Sequence, residues 1–199
     1  MKKYIEKYLV NEFGKTVGVK IYKDASNQLD ILKNNAEYKS DNQKKYLENS
    51  IFPAIVVYRA LQNAGLSKEA AYDHMKKMIG ENTKNSTRKM WTALGKLPFF
   101  FPLFRTLFSK GLEGDSWEVL WIANNKATFE YHIQRCLWHD TFKEYGCTEL
   151  CAIFCHNDEI NFIHVSKHMD FKRNSALGYG GDCCAFCFSS TKVIHKPFI

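Results

Sequence analysis

The sequence predicts an α+β fold, with a helical N-terminal half packed on an antiparallel sheet formed mainly by the C-terminal half. Three observations lead there. Apolar residues recur at helical spacing as far as about residue 94, the pattern turns to β-rich runs at Trp117, and a helical stretch then separates two hairpin-like segments. At 199 residues the chain is long enough to bury a core of its own. It is expected to form a single domain over 1–199, helical over 1–110 and α+β with hairpins over 115–190.

Each element has a local reason. Ile55, Tyr58, Leu61 and Ala64 line one face of a helix that Gly65 is placed to close in the left-handed conformation. Ser67 is the N-cap expected for the next helix, KEAAYDHMKKMI, with Lys76 and Lys77 near its negative end. ENTKNS, residues 81–86, is polar and reads as a turn; Thr87 to Leu94 reads as a further short helix. Residues 97–108, aromatic and interrupted by Pro98 and Pro102, are expected to cover part of the core or line a pocket. SWEVLWIANNKATFEYHIQRC contains two extended runs around Asn124-Asn125, a hairpin signal. LWHDTFKEY returns to helical spacing and stops at Gly146, and TELCAIFCHNDEI is another short helix with Thr148 as its cap. FKRNSALGYGGDCCAFCFSS closes the series as two strands around a glycine turn.

Charge and cysteine usage exclude several classes. The formal charge is +7, but the basic residues are scattered or sit in short pairs such as Lys44-Lys45. That pattern is a solvated helical face rather than a phosphate-tracking patch, so no nucleic-acid partner is expected; a small anionic molecule is. LPFFFPLF, residues 97–104, falls far short of the ~20 apolar residues a membrane span needs, and no membrane association is expected. MKKYIEKYLV starts basic, but Glu6 and Lys7 interrupt any secretory apolar region. Seven cysteines without an export signal point to free thiols and a cytoplasmic location.

The cysteines divide by spacing. Cys184 and Cys187 are an odd number apart and take opposite faces of a strand, so they do not form a chelating knuckle. Cys183 and Cys187 share a face but stand about 13 Å apart at strand rise, and read as small apolar filler. Cys151, between Leu150 and Ala152, also reads as packing. Cys155 differs, because His156 and Asp158 follow it near a helix end and supply partners able to tune a thiol. Cys136 and His139, three apart in CLWHD, would share a helix face as two metal ligands or a thiol–imidazole pair. His74, His132, His164, His168 and His195 sit in no motif and read as surface or satisfied core residues.

Three blocks together resemble one family, the L-2-amino-thiazoline-4-carboxylic acid hydrolase-like proteins. IFPAIVVYRALQNAGLSKEAA is similar to its N-terminal helix pair, CLWHDTFKEYGCTELCAIFCHND to its central block, and FKRNSALGYGGDCCAFCF to its closing block. The resemblance covers roughly residues 48 to 188 and carries the family pattern onto Cys136, Cys155, Asp158, Arg173, Gly180, Gly181, Cys184 and Phe186. Where the family usually has Asp after its last motif cysteine, this chain has Ala185.

The resemblance implies a hydrolase that opens a cyclic C=N substrate carrying a carboxylate. Cys155 or Cys184 would be the nucleophile and Asp158 the proton shuttle, with Arg173, Gly180 and Gly181 binding the substrate. Arg173 would clamp the carboxylate through its planar fork, and alternation with Phe171 turns its side chain inward. Cys136, Cys155 and Cys184 are expected to converge. One alternative gives them to zinc: with His139 they would make a Cys3His centre, while the nucleophile reading requires no cofactor. The other is a non-enzymatic, sensor-like small-molecule or metal-binding domain, distantly resembling 4-vinyl-reductase-type modules, with the aromatic run 99–104 as a pocket wall.

Overall fold

The computed structural model describes residues 1–192; His195 lies outside them. In chain order the elements are α1 (Lys3–Asn35), α2 (Asp41–Tyr46), a π segment (Leu47–Ile51), α3 (Phe52–Asn63), α4 (Lys68–Asn85), α5 (Thr87–Leu94), α6 (Phe100–Gly111), β1 (Trp117–Asn124), β2 (Thr128–Cys136), α7 (Leu137–Glu144), α8 (Leu150–Phe162), β3 (Met169–Arg173) and β4 (Cys184–Ser190). The fold is α+β, with N-terminal helices and a four-stranded antiparallel sheet in the C-terminal half. Among the described residues no helix is long and apolar enough to cross a membrane.

Two compact units divide the chain: Met1–Asn82 with Leu137–Ile153, and Thr83–Cys136 with Phe154–Ile199. In the first unit, α1 breaks at Gly14, whose φ of 76° only glycine adopts freely. Ser40 caps α2 by accepting the Gln43 N–H at 3.1 Å. Pro53 has no N–H to return to the carbonyl four residues back, and the π segment immediately before α3 absorbs that gap. Gly65 closes α3 at φ 97°, and Ser67 Oγ accepts the Ala70 N–H at 3.2 Å to start α4.

One boundary differs from expectation. Residues 81–85 continue α4 instead of forming a turn, so Lys76 and Lys77 lie mid-helix and not at its negative end. Polar composition does not end a helix when one face stays covered: Met75, Met78, Ile79 and Thr83 are all buried.

The second unit holds the sheet, in the order β1-β2-β4-β3 with every pair antiparallel. Asn125 sets the first hairpin by accepting the N–H groups of Ala127 and Thr128 on its side-chain oxygen. The aromatic run expected over the core becomes α6, with Phe100, Phe101 and Phe104 buried. Phe104 meets Phe188 of β4 at 4.7 Å and Phe162 of α8 at 5.5 Å between ring centroids. Along β4 burial alternates, so Cys184, Phe186 and Phe188 face inward while Ala185 and Cys187 take the other side. Helix α8 therefore meets a sheet face made of aromatic rings, with a cysteine at its end.

Candidate functional site

Within the second unit, α8 presents Cys155, Asp158 and Glu159, spaced i, i+3 and i+4, on one helix face. From β3, Arg173 reaches that face with a side chain only 2% exposed. Its Nη1 donates to the Cys155 carbonyl at 2.7 Å and to Asp158 Oδ2 at 3.1 Å, and its Nη2 donates to Glu159 Oε1 at 2.5 Å. The guanidinium also stands over the rings of Tyr179 and Phe186, at 5.4 and 5.7 Å. Strand register explains the second ring, since Arg173 pairs with Phe186 across β3 and β4. The fork on which the expected carboxylate clamp depends is thus engaged by two carboxylates of the protein itself.

The charges in this cluster shift one another. Burial opposes the Arg173 charge, but Asp158, Cys155 and Glu159 more than offset it and keep the guanidinium protonated. Asp158 is pushed up to about 7, by burial first and then by Cys155 and Glu159, against the pull of Arg173. A third of its side chain nevertheless remains accessible, 34%. Asp158 is therefore surrounded by protein yet reachable from solvent, a carboxyl that exchanges its proton near neutrality.

Cys184 opens β4 opposite Ile133 of β2. Its Sγ accepts the Leu177 N–H at 3.3 Å. Its thiol is pushed far up, chiefly because it hydrogen-bonds the Cys155 sulfur and then because it is buried. Two adjoining buried sulfurs cannot both carry charge, so Cys184 keeps its proton and directs it at Cys155. Cys136, at the end of β2, adds a weaker electrostatic push on Cys184. All seven cysteines are free thiols.

Several expected pairings are not made. Cys136 is the last residue of β2, paired with Trp117, and does not share a helix face with His139. Strand pairing to β1 claims it before α7 begins at Leu137, and His139 turns its Nδ1 toward Asp140 at 3.6 Å in the first unit. Among the described residues no group of three or more His, Cys, Asp or Glu side chains is placed to hold a metal ion, so these residues do not fit a Cys3His zinc centre. His156 faces Glu159 at 3.0 Å and not Cys155. Cys147 and Cys151 are buried in the first unit. Cys187, on the outer face of the sheet, sits between Glu130 and Lys172.

The two glycines shape the turn that precedes β4. Gly180 takes φ 83° after the short 3-10 turn Leu177–Tyr179, and its N–H donates to the Leu177 carbonyl at 3.1 Å. The Gly181 N–H donates to the Ala176 carbonyl at 3.1 Å, and a Cβ there would overlap the Ser175 hydroxyl. Their backbone donors are spent inside the turn, which in return aims the Leu177 N–H at Cys184.

Sequence reasoning missed Glu159 and Tyr131. Glu159 is four residues after Cys155, a helix-face spacing that would have found it. Tyr131 alternates with Phe129 and Ile133, all buried, so its position but not its neighbours could be read.

A family model described as L-2-amino-thiazoline-4-carboxylic acid hydrolase matches residues 44–188. No curated protein and no solved structure matches the chain.

Proposed function

This chain belongs to the L-2-amino-thiazoline-4-carboxylic acid hydrolase family, and on that premise we propose that it opens a cyclic C=N substrate bearing a carboxylate, with Cys155 as nucleophile and Asp158 as proton carrier. The observation that supports this most is Asp158 itself. A carboxyl held near 7, one helical turn from a thiol, is half protonated at the pH where it must both give and take a proton.

In this reading the Cys155 thiolate, accepting a hydrogen bond from the Cys184 S–H, adds to the C=N carbon while the nitrogen takes its proton from Asp158. The bond from that carbon to the other ring heteroatom then breaks, and the heteroatom leaves with the electron pair. Water adds to the same carbon, giving one proton to the Asp158 carboxylate and the other to the departed heteroatom, and displaces the enzyme sulfur as thiolate, which completes the net addition of one water to the substrate. Arg173 binds no atom of the reacting ring. It holds Asp158 and Glu159 against α8, and its charge lowers the cost of bringing an anionic substrate to two carboxylates. Gly180 and Gly181 act through the turn that places Leu177 N–H and Cys184. Ala185 lies on the face of β4 away from Cys184 and Phe186, so this departure from the family pattern leaves the cysteine side unchanged.

The test is hydrolysis of 2-amino-thiazoline-4-carboxylate by the purified protein, followed by loss of the ring chromophore. Turnover by the wild type, with loss of at least about 100-fold in Cys155→Ala and Asp158→Asn, supports the assignment. Wild-type turnover that survives Cys155→Ala removes the nucleophile. Tight binding without turnover favours the sensor-like alternative.

A further inference from the structure

Tyr131 carries a polar atom that the mechanism above leaves unused. It lies in the middle of β2, is 1% exposed, and stacks on Phe186 at 5.2 Å with 15° between the ring planes. The register that pairs Tyr131 with Phe186 places it on the inward face, the one that also carries Cys184. No hydrogen bond joins its hydroxyl to a described residue. A buried phenol normally has a partner, because an unpaired hydroxyl in the interior costs roughly 1–3 kcal/mol.

The neighbouring Asp158 carboxyl, by contrast, keeps a third of its side chain accessible, 34%. Ionisation of Tyr131 is opposed by burial first and then by Asp158 and Cys184, which places all three groups within electrostatic reach of one another. Its environment keeps the phenol protonated throughout the working range, which suits a hydrogen-bond donor and excludes a base.

We propose that Tyr131 is a further catalytic residue, whose hydroxyl donates a hydrogen bond to the ring heteroatom on which negative charge gathers as its bond to the attacked carbon breaks. The proposal rests on the hydrolase reading given above. No proton is transferred from Tyr131; it contributes a fixed dipole in a water-poor site, where such donors act most strongly. Division of labour follows. Asp158 moves the proton, Cys184 supports the nucleophile, and Tyr131 steadies the leaving side of the ring.

The test compares wild type, Tyr131→Phe, and protein with 3-fluorotyrosine at position 131, each checked for a thermal midpoint no lower than that of wild type. The phenylalanine variant keeps the ring stack and loses one oxygen. Expected is a fall in kcat on 2-amino-thiazoline-4-carboxylate of about 100-fold or more, with KM within about threefold. The fluorotyrosine protein, which retains the donor, stays within about threefold of wild type. An active wild type with an equally active Tyr131→Phe overturns the Tyr131 role and leaves the hydrolase reading standing. If the wild type does not turn over, the hydrolase reading fails, and calorimetric binding of the same compound then decides: unchanged affinity in Tyr131→Phe, or no binding by any form, overturns the role as well.

Discussion

Replacing Arg173 with methionine removes a buried charge whose side chain is 2% exposed and which serves three acceptors at once. Methionine fills much of the space between Tyr179 and Phe186, so packing changes less than charge. The Cys155 carbonyl loses a donor, and Asp158 and Glu159 lose their counter-ion. Breaking a buried pair by deleting one partner costs about 3–5 kcal/mol. At 2–4 °C per kcal/mol for a chain of this size, the thermal midpoint should fall by roughly 6–20 °C. Lysine keeps the charge, but one ammonium cannot reproduce a fork that spans the Cys155 carbonyl and both carboxylates. Losing one charge-assisted hydrogen bond puts Arg173→Lys at about 1.5–3 kcal/mol, an intermediate loss. A second readout is independent of stability. Arg173 is the group that pulls Asp158 down, so in Arg173→Met the Asp158 carboxyl must titrate above its present value of about 7. Thermal unfolding by circular dichroism and carboxyl titration by carbon-13 NMR measure the two effects. A methionine variant within 1 kcal/mol of wild type, with Asp158 titrating where it did before, would refute the account of this cluster.

Asp158 also makes stability depend on pH. Its folded value of about 7 lies above the ordinary 3.8, so the folded state holds the proton more tightly. The stabilisation is complete below pH 4 and is lost as pH rises to about 7. With a third of the side chain exposed, solvent screening leaves on the order of 1 kcal/mol, and wild type should lose about 2–4 °C more than Asp158→Asn between pH 4 and pH 8. Equal losses in the two proteins would contradict the raised value. Gly181→Ala places a Cβ against the Ser175 hydroxyl and 3.2 Å from the backbone N and O of Ala176. It should cost about 1–3 kcal/mol in a urea titration, and an unchanged midpoint would show that the turn relaxes freely. Phe188→Ala empties a fully buried site between Phe104 at 4.7 Å and Phe171 at 4.8 Å. A loss of about 3–5 kcal/mol is expected, and less than 1 would mean the aromatic core closes over the gap.

Local chemistry made much of this fold legible. Gly65 ends α3, Ser67 starts α4, Asn125 turns the first hairpin, and alternation along β4 separates Cys184 from Cys187. In each case the deciding interaction lies within four residues of the signal, so the sequence contains both parties. The family pattern, read from residue order, falls on Cys155, Asp158 and Arg173, three residues that the fold brings into one hydrogen-bonded cluster.

Other features depend on partners far away in the chain. Polar residues 81–85 remain helical because buried Met78, Ile79 and Thr83 hold that face, and composition alone does not report burial. Cys136 belongs to β2 and not to α7, because its strand pairs with Trp117, nineteen residues earlier. Arg173 meets Asp158 and Glu159 because β3 returns past α8. A strand pattern shows which side chains share a face, but not which helix that face will meet. The proton affinity of Asp158 is likewise a property of the folded site, set by burial and by Arg173, Cys155 and Glu159 together. Sequence periodicity determined which residues could stand side by side; tertiary packing decided which charges did, because desolvation and Coulomb coupling act across space and take no account of chain order.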